Sequence, residues 1–273
     1  MASKIIKKTK IMSKLSVNQI LRKASYFIPL RFRLLIASLY YRLLRKKRIH
    51  FLHIGKTGGT AIKEALKHFQ KYKDTRIWLH NHKVTLVDIP QGDKVIFFIR
   101  DPISRFVSGF YSRKRQGRPR YSAPWTPEEK EAFQNFRTPN ELAKSIFSSD
   151  QAVRKKAIHA MRGIYHVNTF LKDWLISKDY ILRRKKDILF IGCQESLDKD
   201  FELLKKLLGL PRDIELPKDP IKAHKNPPNI DKSLDKDAIE NLRKWYAHDY
   251  ELYDFLLKMR SEILQRIKSA FKD

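Results

Sequence analysis

The chain has 273 residues, with 58 lysines and arginines against 29 aspartates and glutamates, for a formal net charge of +29. Hydrophobic residues make up 42% and aromatics 11%, which is enough to bury a sizeable core and excludes disorder along the whole chain. The charge balance points to polyanionic partners, and the single cysteine, Cys193, excludes an internal disulfide and the CxxC pairs of zinc ribbons. One thiol in a chain of this size fits a reducing compartment, and the sequence reads as cytoplasmic.

Residues 1–48 contain fourteen Lys and Arg and no acidic residue, and the first carboxylate of the chain is Glu64. A basic arm over residues 1–47 is therefore expected ahead of a domain over 48–273. The most apolar stretch of the arm, Tyr26 to Leu44, is broken by Pro29, Arg31, Arg33 and Arg42, whereas a spanning helix needs about 20 nearly uncharged residues. The leader before Leu34 is too long and too charged for a secretory signal. A basic, aromatic-rich helical arm remains, and three readings of it stay open: peripheral contact with an anionic membrane surface, an organelle transit peptide, or an extension packed on the domain.

From residue 48 the pattern alternates. Arg48 to His53 reads as a short buried strand, IGKTGG as a loop, and Thr60 to Phe69 as a helix with Ala61, Ile62, Ala65 and Leu66 on one face. A second buried strand, Lys94 to Ile99, runs into Arg100 and Asp101, with Asp101 suited to cap a helix and Pro102 to its first turn. That helix is expected to reach Tyr111, followed by a loop rich in Arg and Lys. Helices are expected over Pro127–Phe136 and Pro139–Phe147, the second capped by Thr138, and across most of 151–175. A third strand, Asp187 to Cys193, precedes a helix that places Leu197, Phe201, Leu204 and Leu208 together and ends at Gly209 and Pro211. A proline-rich loop over 211–230 and two helices, Asp235–Tyr246 and His248–Phe271, close the chain. Alternating strands and helices predict an α/β fold with a parallel sheet flanked by helices on both faces. Ligands in such sheets bind at the carboxyl ends of the strands, where IGKTGGT and RDPISR both fall.

In Gly55-Lys56-Thr57-Gly58-Gly59-Thr60 the glycines let backbone N–H groups turn toward a ligand, and the next helix offers its positive N-terminus. Lys56 and the threonines add donors, so an anion with several oxygens fits. A Walker-type loop ending on Gly55-Lys56-Thr57 would need glycine at position 50, which is His50, and the strand KVIFFI ends on Arg100 where a Walker B acid would stand. A P-loop kinase or NTPase is kept as one alternative and a basic nucleic-acid-binding protein as another, although no nucleic-acid module appears. Arg100 offers a planar fork to a phosphate, with Ser108 further along its helix; Arg105 reads as a structural partner of Asp101 four residues earlier. His80 and His82 are two apart, but no third ligand stands at supporting spacing, so no metal site is expected.

His53 to Thr60, HIGKTGGT, resembles the HIPKTGGT signature of the PAPS-dependent carbohydrate sulfotransferases, Golgi-type and bacterial, with Gly55 where that family usually has proline. Arg100 to Ser108, RDPISRFVS, resembles the family's RDPxxRxxS. The resemblance implies a P-loop-NTPase-like fold and PAPS (3′-phosphoadenosine 5′-phosphosulfate) as co-substrate, without a metal. By the same resemblance Lys56, Thr57, Gly58, Gly59 and Thr60 hold the 5′-phosphosulfate, and Arg100 and Ser108 bind the 3′-phosphate. In the uronosyl 2-O-sulfotransferase branch a similar His-x-His segment precedes the RDP strand, which implies His82 as catalytic base, His80 as accessory and Lys56 as catalytic lysine. Weaker likeness runs through Ile191–Leu197 and Ile221–Leu256, where His224 and Lys225 would cover the nucleotide. The implied acceptor is a hydroxyl of a carbohydrate; Arg113, Lys114, Arg115, Arg118 and Arg120 would suit an acidic one, or form a solvated basic loop.

Overall fold

The computed structural model describes residues 28–227 and 229–271, so most of the basic arm lies outside the described residues. Its described end is a helix, α1 (Leu30–Leu43), which buries Leu34 and Ser38 beside strand β1 (Lys47–Phe51). The loop IGKTGG then leads into α2 (Gly59–Leu66). Strands β2 (Lys71–Tyr72), β3 (Thr75–Leu79) and β4 (Lys94–Ile99) follow, and β4 matches its expected bounds.

Helix α3 (Pro102–Lys114) starts as its sequence dictates: the Asp101 carboxylate accepts from the Ser104 N–H at 2.7 Å, and Pro102 occupies the first turn. Helices α4 (Pro127–Asn135) and α5 (Pro139–Ser145) both begin with a capping box, Thr126 with Glu129 and Thr138 with Glu141. Helix α6 (Gln151–Gly163), the short α7 (Lys172–Leu175) and α8 (Lys178–Arg183) lead to β5 (Ile188–Cys193). Helix α9 (Leu197–Leu208) ends at left-handed Gly209, and α10 (Lys236–Trp245) and α11 (Ala247–Ala270) complete the chain.

The five strands form one sheet in the order β2-β3-β1-β4-β5, antiparallel only at β2–β3. Val95 to Ile99 are buried in succession, so helices cover both faces of β4. The α/β fold with a mostly parallel sheet flanked by helices is thus the architecture expected from the alternating pattern. The pattern did not announce β2 or β3. In β3 only Thr75 and Ile77 are buried, Arg76 lies 5.1 Å above the Trp78 ring, and the apolar run Ile77-Trp78-Leu79 is too short to mark a strand by itself.

Two apolar clusters result. One holds the sheet with α2, α9 and α11; the other joins α3, α4, α5, α6 and α10 into a helical lobe. Strand β1 connects toward β3 and its neighbour β4 toward β5, so the connections diverge between β1 and β4. This switch point opens a crevice at the carboxyl edge, beneath the helical lobe.

Arg105 is buried at 2% exposure and donates to the Asp249 carboxylate at 2.8 Å and to the Thr169 carbonyl at 2.6 Å. It is structural, as expected, but its partner is Asp249 of α11 rather than Asp101, whose carboxylate instead caps α3 and accepts from the Tyr250 hydroxyl. Removing the guanidinium leaves Asp249 buried without its cation, so Arg105→Met is expected to lower unfolding free energy by about 3–5 kcal/mol in urea titrations. A change below about 1 kcal/mol would show that the pair does not join α3 to α11.

Candidate active site

The crevice at the switch point is a cleft of about 1050 Å³ lined from both clusters. Its floor is the loop after β1. Lys56 adopts φ +65° and Gly58 φ +83°, and a Cβ on Gly59 would lie 2.2 Å from the His53 ring. Left-handed backbone at a lysine is costly and persists only where the surroundings impose it; here the Arg100 Nη1 donates to the Lys56 carbonyl at 3.2 Å. Gly58 caps α2 without a side chain, so the first N–H groups of that helix have no intrahelical partner. They face the same end of the sheet as Lys56, which makes a ready anion site.

Lys56, Gly58, Thr60, Arg100 and Ser108 line the cleft together. Thr57 and Gly59 do not: the Thr57 hydroxyl is buried and donates to the Ile54 carbonyl at 2.9 Å, and Gly59 lies under the His53 ring. Arg100 uses Nε on the Ser104 hydroxyl at 2.8 Å and Nη1 on Lys56, so among the described residues its Nη2 has no protein partner. Lys225 lines the mouth and is exposed.

The paired histidines separate. His82 lines the cleft, with its Nδ1 3.2 Å from the His53 carbonyl, and its ring 3.9 Å from the His53 ring and 6.2 Å from that of His166. A carbonyl can only accept, so Nδ1 carries the hydrogen and the neutral ring leaves Nε2 as an acceptor. Burial lowers its pKa against the opposing pull of that carbonyl, and Lys63 and Lys56 lower it further. His80, by contrast, is buried outside the cleft lining. Its Nε2 lies 2.8 Å from His50 Nδ1, and His50 Nε2 lies 3.1 Å from Asp93. Burial takes the His80 pKa to about 3, with His50 and Lys63 adding to the effect.

Three further histidines line the cleft, of which the sequence pointed to His224 beside Lys225. His53 is buried with Nδ1 unpartnered among the described residues, and burial, then His82, holds its pKa well below the ordinary value. His166 enters from the segment after α6 and is likewise held neutral, first by burial and then by Lys56. His224 enters from the proline-rich loop, where burial and Lys56 take its pKa to about 3. His53 was visible only as the first letter of its loop motif, and nothing local marks His166.

Helix α3 runs to Lys114, past the expected Tyr111, and the basic residues of its last turn and of the loop beyond are not a free patch. Arg113 is ion-paired with the buried Glu129, with Nε at 2.6 Å from Oε1, and Arg115 and Arg120 hold the backbone of Lys225 and Lys222. Arg120 also reaches Glu64 at 3.2 Å. These arginines tie the proline-rich segment over the cleft mouth. Among the described residues no three His, Cys, Asp or Glu side chains are arranged to hold a metal ion.

Residues 40–256 match the model of the Sulfotransferase family, and the chain belongs to that family. Membership assigns it sulfuryl transfer in general terms, and so places it among the transferases. No curated protein matches the sequence.

The cleft also disfavours the charge on Lys56. Burial, then Arg115 and Arg100, lower its pKa from 10.5 to about 7. Between pH 7 and 10.5 the unfolded chain binds a proton that the folded chain does not, so stability from this group rises with pH across that window. Lys56→Met is expected to melt higher than wild type at about pH 6, with the gap narrowing toward about pH 9. A pH-independent gap in thermal melts would show that the ammonium is not the source.

Proposed function

We propose that the cleft transfers a sulfuryl group from PAPS to a hydroxyl of a carbohydrate acceptor, with His82 as general base. The observation that carries this is the His82 tautomer: Nδ1 bonded to the His53 carbonyl leaves a basic Nε2 in the cleft that Lys56 and Arg100 also line. Two donor sets favour a two-phosphate donor. The N-terminus of α2 with Lys56 and Thr60 suits one anionic group, and Arg100 with Ser108 suits a second. PAPS supplies an activated sulfuryl group on a phosphate leaving group.

The roles of the chain's own residues follow. His82 Nε2 takes the proton of the acceptor hydroxyl as it attacks. The Lys56 ammonium and the N–H groups of α2 offset negative charge on the peripheral oxygens and on the departing phosphate. His53 keeps the base in the right tautomer through its carbonyl. Lys63, Lys225 and Lys232 at the lining favour an acidic acceptor, a part that the paired Arg113 and Arg120 no longer offer.

The product 3′-phosphoadenosine 5′-phosphate is expected to raise the melting temperature more than AMP at equal concentration, since only it fills both donor sets. Equal shifts would remove Arg100 and Ser108 from the site. Transfer of labelled sulfate from PAPS to sulfated and unsulfated glycans tests the reaction itself.

His82→Ala should lower turnover by about 10²- to 10⁴-fold with little change in affinity for the nucleotide product. Lys56→Ala should lower both, because the lysine meets the ground state as well as the transition state. His80→Ala should be the milder lesion, acting through packing on His50. In kcat/KM the rate should rise with pH through an apparent pKa below 6.5, set by His82, and fall through a second near 7, set by Lys56. In kcat the alkaline limb should move upward, because bound anion favours the ammonium. An acid limb that persists in the His82 variant would place the base elsewhere.

A further inference from the structure

Helix α1 packs on the domain through Leu34 and Ser38, with Ser38 donating to Asp93 at 2.8 Å. At about 100° per residue, Phe32, Ile36, Leu39 and Leu43 fall on the side directly opposite. They are exposed at 57, 59, 48 and 83%. Scattered exposed apolar residues need no explanation, but a continuous outward stripe of four, with Leu35 beside it, does. Arg31 and Arg42 stand along one edge of this stripe and Arg33 along the other, all exposed. Arg45 lies just beyond the helix end.

We infer that α1 is an interfacial helix that lies flat on an anionic lipid surface, with its apolar stripe among the acyl chains and its arginines at the headgroups. The order of side chains around the helix is the one such a position demands: apolar centre, cationic flanks, and a third side committed to the protein. Charge decides between a bilayer and a second copy. Pairing two stripes would bring arginines against arginines, and the chain has no carboxylate before Glu64 to separate them. Anionic headgroups supply the missing charge all along the helix. No helix among the described residues is long and apolar enough to cross a membrane, and α1, at 14 residues, fits the interface plane instead. The residues before α1 are also free of acid and add further lysines, which strengthens attraction to the same surface.

The test is vesicle flotation of the full chain with phosphatidylcholine alone and with about one-third phosphatidylglycerol. Wild type is expected to float with the anionic vesicles and not with the neutral ones. The decisive variant replaces Phe32, Ile36, Leu39 and Leu43 with serine. It keeps the whole charge of the chain, so a purely electrostatic attachment by the basic arm would survive it, whereas an inserted helix should lose about tenfold or more in partitioning. Arg31→Gln, Arg33→Gln and Arg42→Gln together should weaken binding to anionic vesicles by about tenfold, leaving the apolar stripe intact. All these residues are exposed, and unchanged melting temperatures would confirm that both variants fold. The inference is overturned if the serine variant floats like wild type, if neutral vesicles bind as well as anionic ones, or if the stripe proves to join two copies. That last outcome would appear as a dimer of the wild type in sedimentation velocity that the serine variant abolishes. Sulfuryl transfer to a soluble acceptor should be unchanged in both variants, so loss of vesicle binding and loss of catalysis are read separately.

Discussion

Lys56 sits in left-handed backbone at the switch point of the sheet, with Arg115 and Arg100 as the charges acting on it, and among the described residues no carboxylate pairs with it. Burial, and then those two arginines, lower its pKa, so negative charge brought beside it would favour the ammonium. Among the described residues each buried guanidinium has a carboxylate: Arg105 has Asp249, Arg113 has Glu129, and Arg184 has Asp187. Lys56 has no such partner among them. A ligand that brings anionic oxygens completes there what the fold leaves open, and the free N–H groups of α2 act in the same direction.

That contrast changes the meaning of the basic residues at the end of α3 and in the loop beyond it. In sequence they form one run, and a run of like charge suggests a surface waiting for a polyanion. In the structure Arg113 faces inward to Glu129, while Arg115 and Arg120 hold carbonyls of the proline-rich loop. A guanidinium has five donors in a rigid plane, so it can fasten backbone and carboxylate at once. The run is therefore mainly a fastening for the segment that carries His224 and Lys225 to the cleft, and the number of free cations at the mouth is smaller than the sequence suggests.

How far the sequence could be read depended on whether each element carried its own local signal. Strand β4 and the caps of α3 and α5 were legible because an unbroken apolar run and Asp-Pro or Thr-Pro starts act within a few residues. The phosphate-type loop was legible for the same reason: glycines and a lysine between a strand and a helix. Strand β3 was not, since its order rests on pairing with β1 and on Trp78 stacking 4.4 Å from His50. His166 and the Arg105–Asp249 pair were equally hidden. Each joins residues far apart in the chain, and no spacing within a window foretells which histidine or which aspartate will arrive.

The His80-Asn81-His82 segment shows the same limit at the scale of three residues. Two histidines two apart would share one face if the strand continued, but β3 ends at Leu79, and the chain turns before His82. His80 stays with the sheet, inside the buried line to His50 and Asp93 that also receives Ser38 of α1. His82 swings back to the His53 carbonyl, while the Trp174 indole donates to the His82 carbonyl at 2.9 Å and Lys63 donates to the His80 carbonyl at 3.2 Å. The two rings thus come under opposite demands. One is fixed by neighbours at Nε2 and kept neutral deep in the protein, which suits support. The other is fixed only at Nδ1, and its second nitrogen is left for whatever the cleft receives. The end of a strand, rather than the spacing of the histidines, separates the two rings.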